Sequence, residues 1–161
     1  MVNLRMIRYG CCVVAAVLLM AMSGDGRANG GVAPARVVSL SAQILRYVNE
    51  YRRSKGLSAL QPNSFISSVA LGHSRDMLTG KTPFGHDGFR QRIDRISGKL
   101  GRLHMAAENV ASGPMGAREV VDGWLHSPGH RRNIEGDFRL TGIGLAAGAN
   151  GMIYFTQIFI K

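Results

Sequence analysis

Cysteine is nearly missing from this 161-residue chain, and the two present, Cys11 and Cys12, stand together close to its start. Beyond them no disulfide, thiolate metal site or cysteine nucleophile is available, so a folded domain must rest on core packing alone. Acidic residues are also scarce, 10 against 20 lysines and arginines, for a formal charge of +10 and a pI near 10.6. No apolar run reaches the ~20 residues needed to span a bilayer, so no stable transmembrane anchor is expected. The longest such run, Cys11–Met22, follows Arg5 and Arg8 and is closed by small and polar residues. That is the three-part pattern of a secretory signal peptide, with cleavage after Ser23 or Ala28 and a secreted or periplasmic product. A lipoprotein signal would carry its cysteine at the end of the run, not at its start.

Loss of residues 1–28 removes Arg5, Arg8, Arg27 and Asp25 and leaves 17 basic and 9 acidic side chains, a charge of +8. Such a surface favours anionic partners, either lipid headgroups or envelope polymers. Arginines scattered without interleaved aromatics, behind an export signal, argue against nucleic acid. The length suits one domain with a real core.

Residues 29–37 read as a flexible leading segment and residues 38–161 as the folded unit. Ser39 or Ser41 is expected to cap a helix through Arg53, with Leu40, Ile44, Leu45, Val48 and Tyr51 on its inner face. Gly56–Pro62 reads as a loop. Asn63 is the natural cap of a second helix bearing Phe65, Ile66, Val69, Ala70, His73 and Met77, closed by Gly80. A loop with glycine and proline then carries His86, and Phe89–Ile96 reads as a short basic helix. Met105–Gly113 is small and apolar around Glu108-Asn109, as in a short strand or tight connection. Ala117–Leu125 forms a helix that stops at Pro128-Gly129. The alternation Leu140, Gly142, Gly144 and Ile153, Phe155, Gln157, Phe159, with an Asn-Gly signal between, predicts a terminal hairpin. Helices followed by a hairpin indicate an α+β domain with helices packed on an antiparallel sheet.

Several residues could carry chemistry. His126 and His130 have the spacing of a helical zinc pair, but Pro128 and Gly129 break the helix between them, and no glutamate follows His126. Ser127 lacks a nucleophile elbow and an orienting acid, and reads as a cap between two helices. Glu108 lies among small residues that look buried, so it needs a partner: the backbone or an arginine, or a histidine in a cleft. His86 stands free between Gly85 and Asp87. His73 lies on an apolar stripe as a hydrogen-bonded core histidine, His104 is an exposed loop residue, and Trp124 belongs to the core.

The ordered segments "TPFGHDGF", "AAENVASG", "VVDGWLHSPGHRRNI", "TGIGLA" and "YFTQIF" make the chain from Val38 to Lys161 resemble the CAP superfamily, and within it the bacterial SCP-like extracellular branch. The resemblance implies an α-β-α sandwich with a cleft lined, in eukaryotic members, by two histidines and two glutamates. His86, Glu108 and His130 match three of these, and Ser127 stands where the second glutamate would be. The cleft implied is therefore His86, Glu108, Asn109, Ser127 and His130, with Asn109 bracing its backbone and His126 a bystander. Zinc or another divalent metal on His86, His130 and Glu108 is one implied cofactor. The function implied is a binding module for a metal, lipid, peptide or envelope ligand; the alternative is a metal-dependent, protease-like hydrolase in which the same three residues act.

Overall fold

The computed structural model describes Arg5–Ile7 and residues 34–161. The signal-peptide reading of residues 1–28 lies outside the described residues except for Arg5–Ile7, which form strand β1, paired parallel to Met105–Ala107. No helix among the described residues is long and apolar enough to cross a membrane.

Helix α1 runs Pro34–Ser54 and so starts five residues before Ser39. Proline suits a first helical turn because its fixed φ is already helical and its missing N–H would have had no partner there. The helix closes on Arg52 and Arg53, cations at the negative end of its dipole. Gln61–Pro62, expected as loop, pairs as the two-residue strand β2 at one margin of the sheet, where a proline breaks no interior ladder. Helix α2 (Ser64–Leu78) begins as expected, with the Ile66 N–H donating to Asn63 Oδ1 at 3.1 Å. Helix α3 (Phe89–Leu100) runs four residues past Ile96 and ends at Gly101, whose φ of 88° an L side chain resists.

The segment around Glu108 is a full nine-residue strand, β3 (Met105–Gly113). Helix α4 (Ala117–His126) stops at Ser127, and α5 (Pro128–Glu135) starts at once with Pro128 in its first turn. The hairpin comprises β4 (Leu140–Ala147) and β5 (Ile153–Ile160), turned at Gly148–Gly151 with Gly151 at φ 81°. The sheet order is β1-β3-β5-β4-β2, so the last strand is central. It pairs antiparallel with β3 (Ala106↔Ile160 to Gly113↔Ile153) and with β4 (Leu140↔Ile160 to Ala147↔Ile153).

Period-two alternation gives this sheet two buried faces. On one, Ala107, Ala111, Ile143, Leu145, Phe155 and Phe159 pack against α1 and α4 through Ile44, Val48, Val120, Val121 and Trp124. On the other, Ala106, Ile158 and Ile160 meet α2 and α3 through Ile66, Val69, Ala70, Phe89, Ile93 and Ile96. The fold is an α-β-α sandwich. The hairpin's glycines have a packing reason: a Cβ on Gly142 would lie 2.2 Å from the Ser67 N atom, and one on Gly144 2.0 Å from the Leu71 N atom. Backbone of α2 lies directly on β4, and only hydrogen fits between them.

Candidate functional site

Glu108 and Asn109 are neighbours on β3, so their side chains leave the sheet on opposite faces. Both are buried, at 2% and 0% exposure. Glu108 turns to the α2–α3 side. There the Arg92 guanidinium forks onto it, Nε to Oε2 at 2.8 Å and Nη2 to Oε1 at 2.6 Å. Parallel donation of this kind is the strong geometry for a carboxylate. His86 stands 2.9 Å from Oε1 through Nδ1, and because a carboxylate paired with arginine only accepts, Nδ1 carries the hydrogen. In the neutral ring the Nε2 atom of His86 is then an acceptor.

The same logic fixes His73. Arg92 Nη1 donates to its Nδ1 at 3.1 Å, and its Nε2 donates to the Gly85 carbonyl at 2.8 Å. Both nitrogens are used by a neutral ring, and burial, outweighing the attraction of Glu108, holds its pKa below the ordinary histidine value. His73 is a hydrogen-bonded core residue, as its place on the helix stripe implied, and it supports the Arg92 side of the cleft.

Asn109 faces α5. Its Nδ2 donates to the His130 carbonyl at 3.2 Å, and its Oδ1 accepts from Asn133 Nδ2 at 2.8 Å. Asn133 Nδ2 also donates to the Glu108 carbonyl at 3.2 Å. The first turn of α5 is thereby tied to the middle of β3 through Asn109 and Asn133. His130 is 1% exposed, and burial, reinforced by the nearby His86, lowers its pKa to about 4. Both of its ring nitrogens, and Nε2 of His86, are buried and make no hydrogen bond.

Ser127 is buried at the junction of α4 and α5, on the same short turn as His130. His126 is exposed and its Nδ1 donates to the Asp122 carbonyl at 2.8 Å, within its own helix. Trp124 is core, with Nε1 donating to the Val110 carbonyl at 3.2 Å.

Arg92 and Asn133 escaped the sequence reading. Arg92 had a readable signal, since it lies three residues after Phe89 and four before Ile96, on the inward stripe of α3. A basic residue there must either snorkel out or find a buried acid. Asn133 had none, because an asparagine near the end of a short helix looks like an ordinary exposed residue.

A metal fits this arrangement poorly. Both oxygens of Glu108 are engaged by Arg92, and among the described residues no group of three or more histidine, cysteine, aspartate or glutamate side chains is placed to hold an ion. What the site presents is a neutralised carboxylate, one imidazole oriented by it, and a second imidazole with both nitrogens unengaged.

The CAP (cysteine-rich secretory protein) family matches residues 45–159. The uncharacterized protein YkwD of Bacillus subtilis (strain 168) is 32% identical over 130 residues, which cover 80% of this chain and 49% of that protein. The uncharacterized membrane protein YlbC of the same organism is 33% identical over 122 residues, 74% of this chain and 34% of that one. The chain thus spans half or less of these curated relatives. An extracellular protein containing an SCP domain from Bacillus anthracis str. Ames superposes with a TM-score of 0.68 at 28% identity, over 82% of this chain and 45% of that one. An outer surface protein from Borrelia burgdorferi has the same fold, with a TM-score of 0.67 at 20% identity over 83% of this chain and 98% of that one. Family match, fold and the order of the cleft motifs agree: the chain is a member of the cysteine-rich secretory protein (CAP) family.

Proposed function

We propose that this chain is an exported binding module whose cleft, between His86 and His130, holds an uncharged hydrogen-bonding group of an envelope peptide or glycan. One observation carries the reading. Three buried imidazole nitrogens face no partner, while the carboxylate beside His86 is already paired with Arg92. Buried polar atoms left unpaired cost about 1–3 kcal/mol each, so a ligand that satisfies them gains that much. With Nδ1–H committed to Glu108, His86 in its neutral form offers an acceptor, and neutral His130 offers one donor and one acceptor. Amides and hydroxyls complement such a set.

Hydrolysis is supported less well. A base or third metal ligand would have to be Glu108, and Arg92 already holds both of its oxygens. The position of a second acid is occupied by Ser127. Export rests on the N-terminal apolar run and on the extracellular and outer-surface relatives. The basic surface would keep the domain at an anionic envelope or lipid layer.

The test is a titration of the full chain with a soluble peptidoglycan fragment carrying both peptide and acetylated sugar, followed by proton–nitrogen NMR of the histidine rings. The His86 and His130 signals are expected to move together while His104 and His126 stay. Movement confined to the two exposed rings would remove the cleft as the binding site.

A further inference from the structure

The guanidinium of Arg92 is unusual among the basic residues of α3, because it is turned inward and fully used. Its five N–H groups reach Glu108 twice, His73 Nδ1 at 3.1 Å, the Asp87 carbonyl at 2.7 Å and the His86 carbonyl at 3.5 Å. It therefore joins α2, α3, the loop bearing His86 and β3 at one point. Its side chain is only 11% exposed and that of Glu108 1%. Gly88, at φ 76°, turns the chain into α3 beside it, and a Cβ at that glycine would come within 3.3 Å of Nη1.

We infer that Arg92 determines what the cleft can bind: by taking both oxygens of Glu108 it excludes a divalent metal and leaves a metal-free pair of imidazoles to meet the ligand. This rests on reading the cleft as the binding site, and it adds the reason for the ligand's chemistry. Glu108 and Arg92 sum to zero charge. A dication beside them would find no free anionic donor, would face a fixed cation, and would have to break a bidentate buried pair to reach the carboxylate. A neutral polar group meets none of these obstacles. Arg92 also sets the direction of His86, since the ring is held through Glu108 Oε1 and the loop through two carbonyls. It acts as a positioning residue that touches the ligand only through others.

Zinc is the probe that decides. Calorimetric titration of the full wild-type chain is expected to show no cleft site, and equimolar zinc is expected to leave the ring signals of His86 and His130 in place. Arg92→Met frees the carboxylate between His73 and His86 and is expected to show a zinc site that shifts the His86 ring, at least ~10-fold tighter than any residual surface binding by the wild type. The added Glu108→Gln substitution should abolish that gain. A wild-type zinc site that shifts the His86 and His130 rings overturns the inference, as does a folded Arg92→Met chain with no gain. If Arg92→Met does not fold, Arg92→Lys, which keeps the charge but cannot fork onto both oxygens, takes its place, and a folded Arg92→Lys chain with no zinc gain over the wild type overturns the inference. These outcomes are separate from those of the fragment titration: zinc-silent rings that also ignore the fragment would sink the binding reading and leave Arg92's exclusion of metal intact.

Discussion

Replacing Gly144 by alanine tests whether contact between α2 and β4 sets both stability and the cleft. The added Cβ would lie 2.0 Å from the Leu71 N atom and 2.4 Å from the Ala70 carbonyl carbon, both backbone atoms of α2. Comfortable contact begins near ~3.5 Å, so the helix must retreat by roughly 1.5 Å. A backbone, unlike a long side chain, cannot rotate out of the way. The retreat loosens Ile66, Val69 and Ala70 in the core and pulls Ser74 from the Gly144 carbonyl, which it reaches at 3.0 Å. Overpacking of this kind costs about 3 kcal/mol or more, and in a domain of this size that lowers Tm by roughly 12 °C. His73 moves with the helix. Its bonds to Gly85 and Arg92, 2.8 and 3.1 Å, do not survive a displacement of that size, so its ring signals should shift as well. Gly72→Ala, on the same helix, is the control. Its Cβ would meet nothing within 4 Å, and it should stabilise by about 0.5–1 kcal/mol through helix propensity alone. Thermal and urea unfolding followed by circular dichroism measure both. A Gly144→Ala chain within about 1 kcal/mol of wild type, with the His73 ring unmoved, would refute the reasoning.

Three further expectations can be checked independently. Arg52, 2% exposed, donates to the carbonyls of Ser58, Ile134, Gly136 and Phe138; Arg52→Ala strands them and should cost about 3–5 kcal/mol in urea unfolding, with the N-terminal end of α1 unaffected. His130 is held neutral, its pKa lowered from 6.5 to about 4, so the unfolded chain takes up a proton that the folded chain refuses. Stability from this source is full above pH 6.5 and is lost as pH falls toward 4, on the order of 3 kcal/mol, and His130→Leu should abolish that part of the slope. Asn133→Ala removes the bonds to Asn109 and the Glu108 carbonyl; a loss of about 2 kcal/mol is expected, and a neutral result would show that α5 is held by Ile134 and the helix junction instead.

Much of this architecture was legible because its signals are local. Asn63 announces a helix start by its own side chain, the hairpin by its alternation and its Asn-Gly turn, and the buried stripe of α2 by its period. The early start of α1 has its local signal in Pro34, which fits a first helical turn, whereas Ser39 and Ser41 suggest a later cap. The strand Gln61–Pro62 exists only because β4 lies beside it, and no property of the two residues reveals that. At the cleft, residues with conspicuous chemistry were found: His86, Glu108 and His130. The partner that decides their behaviour was not, since Arg92 looks like one more cation on a basic helix until its phase against Phe89 and Ile96 is counted.

The adjacency of Glu108 and Asn109 also constrains what this chain can become. Each reaches a different layer of the sandwich, so which layer receives the acid and which the amide is decided by odd or even position along β3. One residue inserted upstream in that strand would aim the carboxylate at the α5 backbone, and one deleted there would aim the amide at Arg92. Substitutions in β3 can be absorbed one at a time, but changes in its length cannot, and variation in length should be confined to its ends.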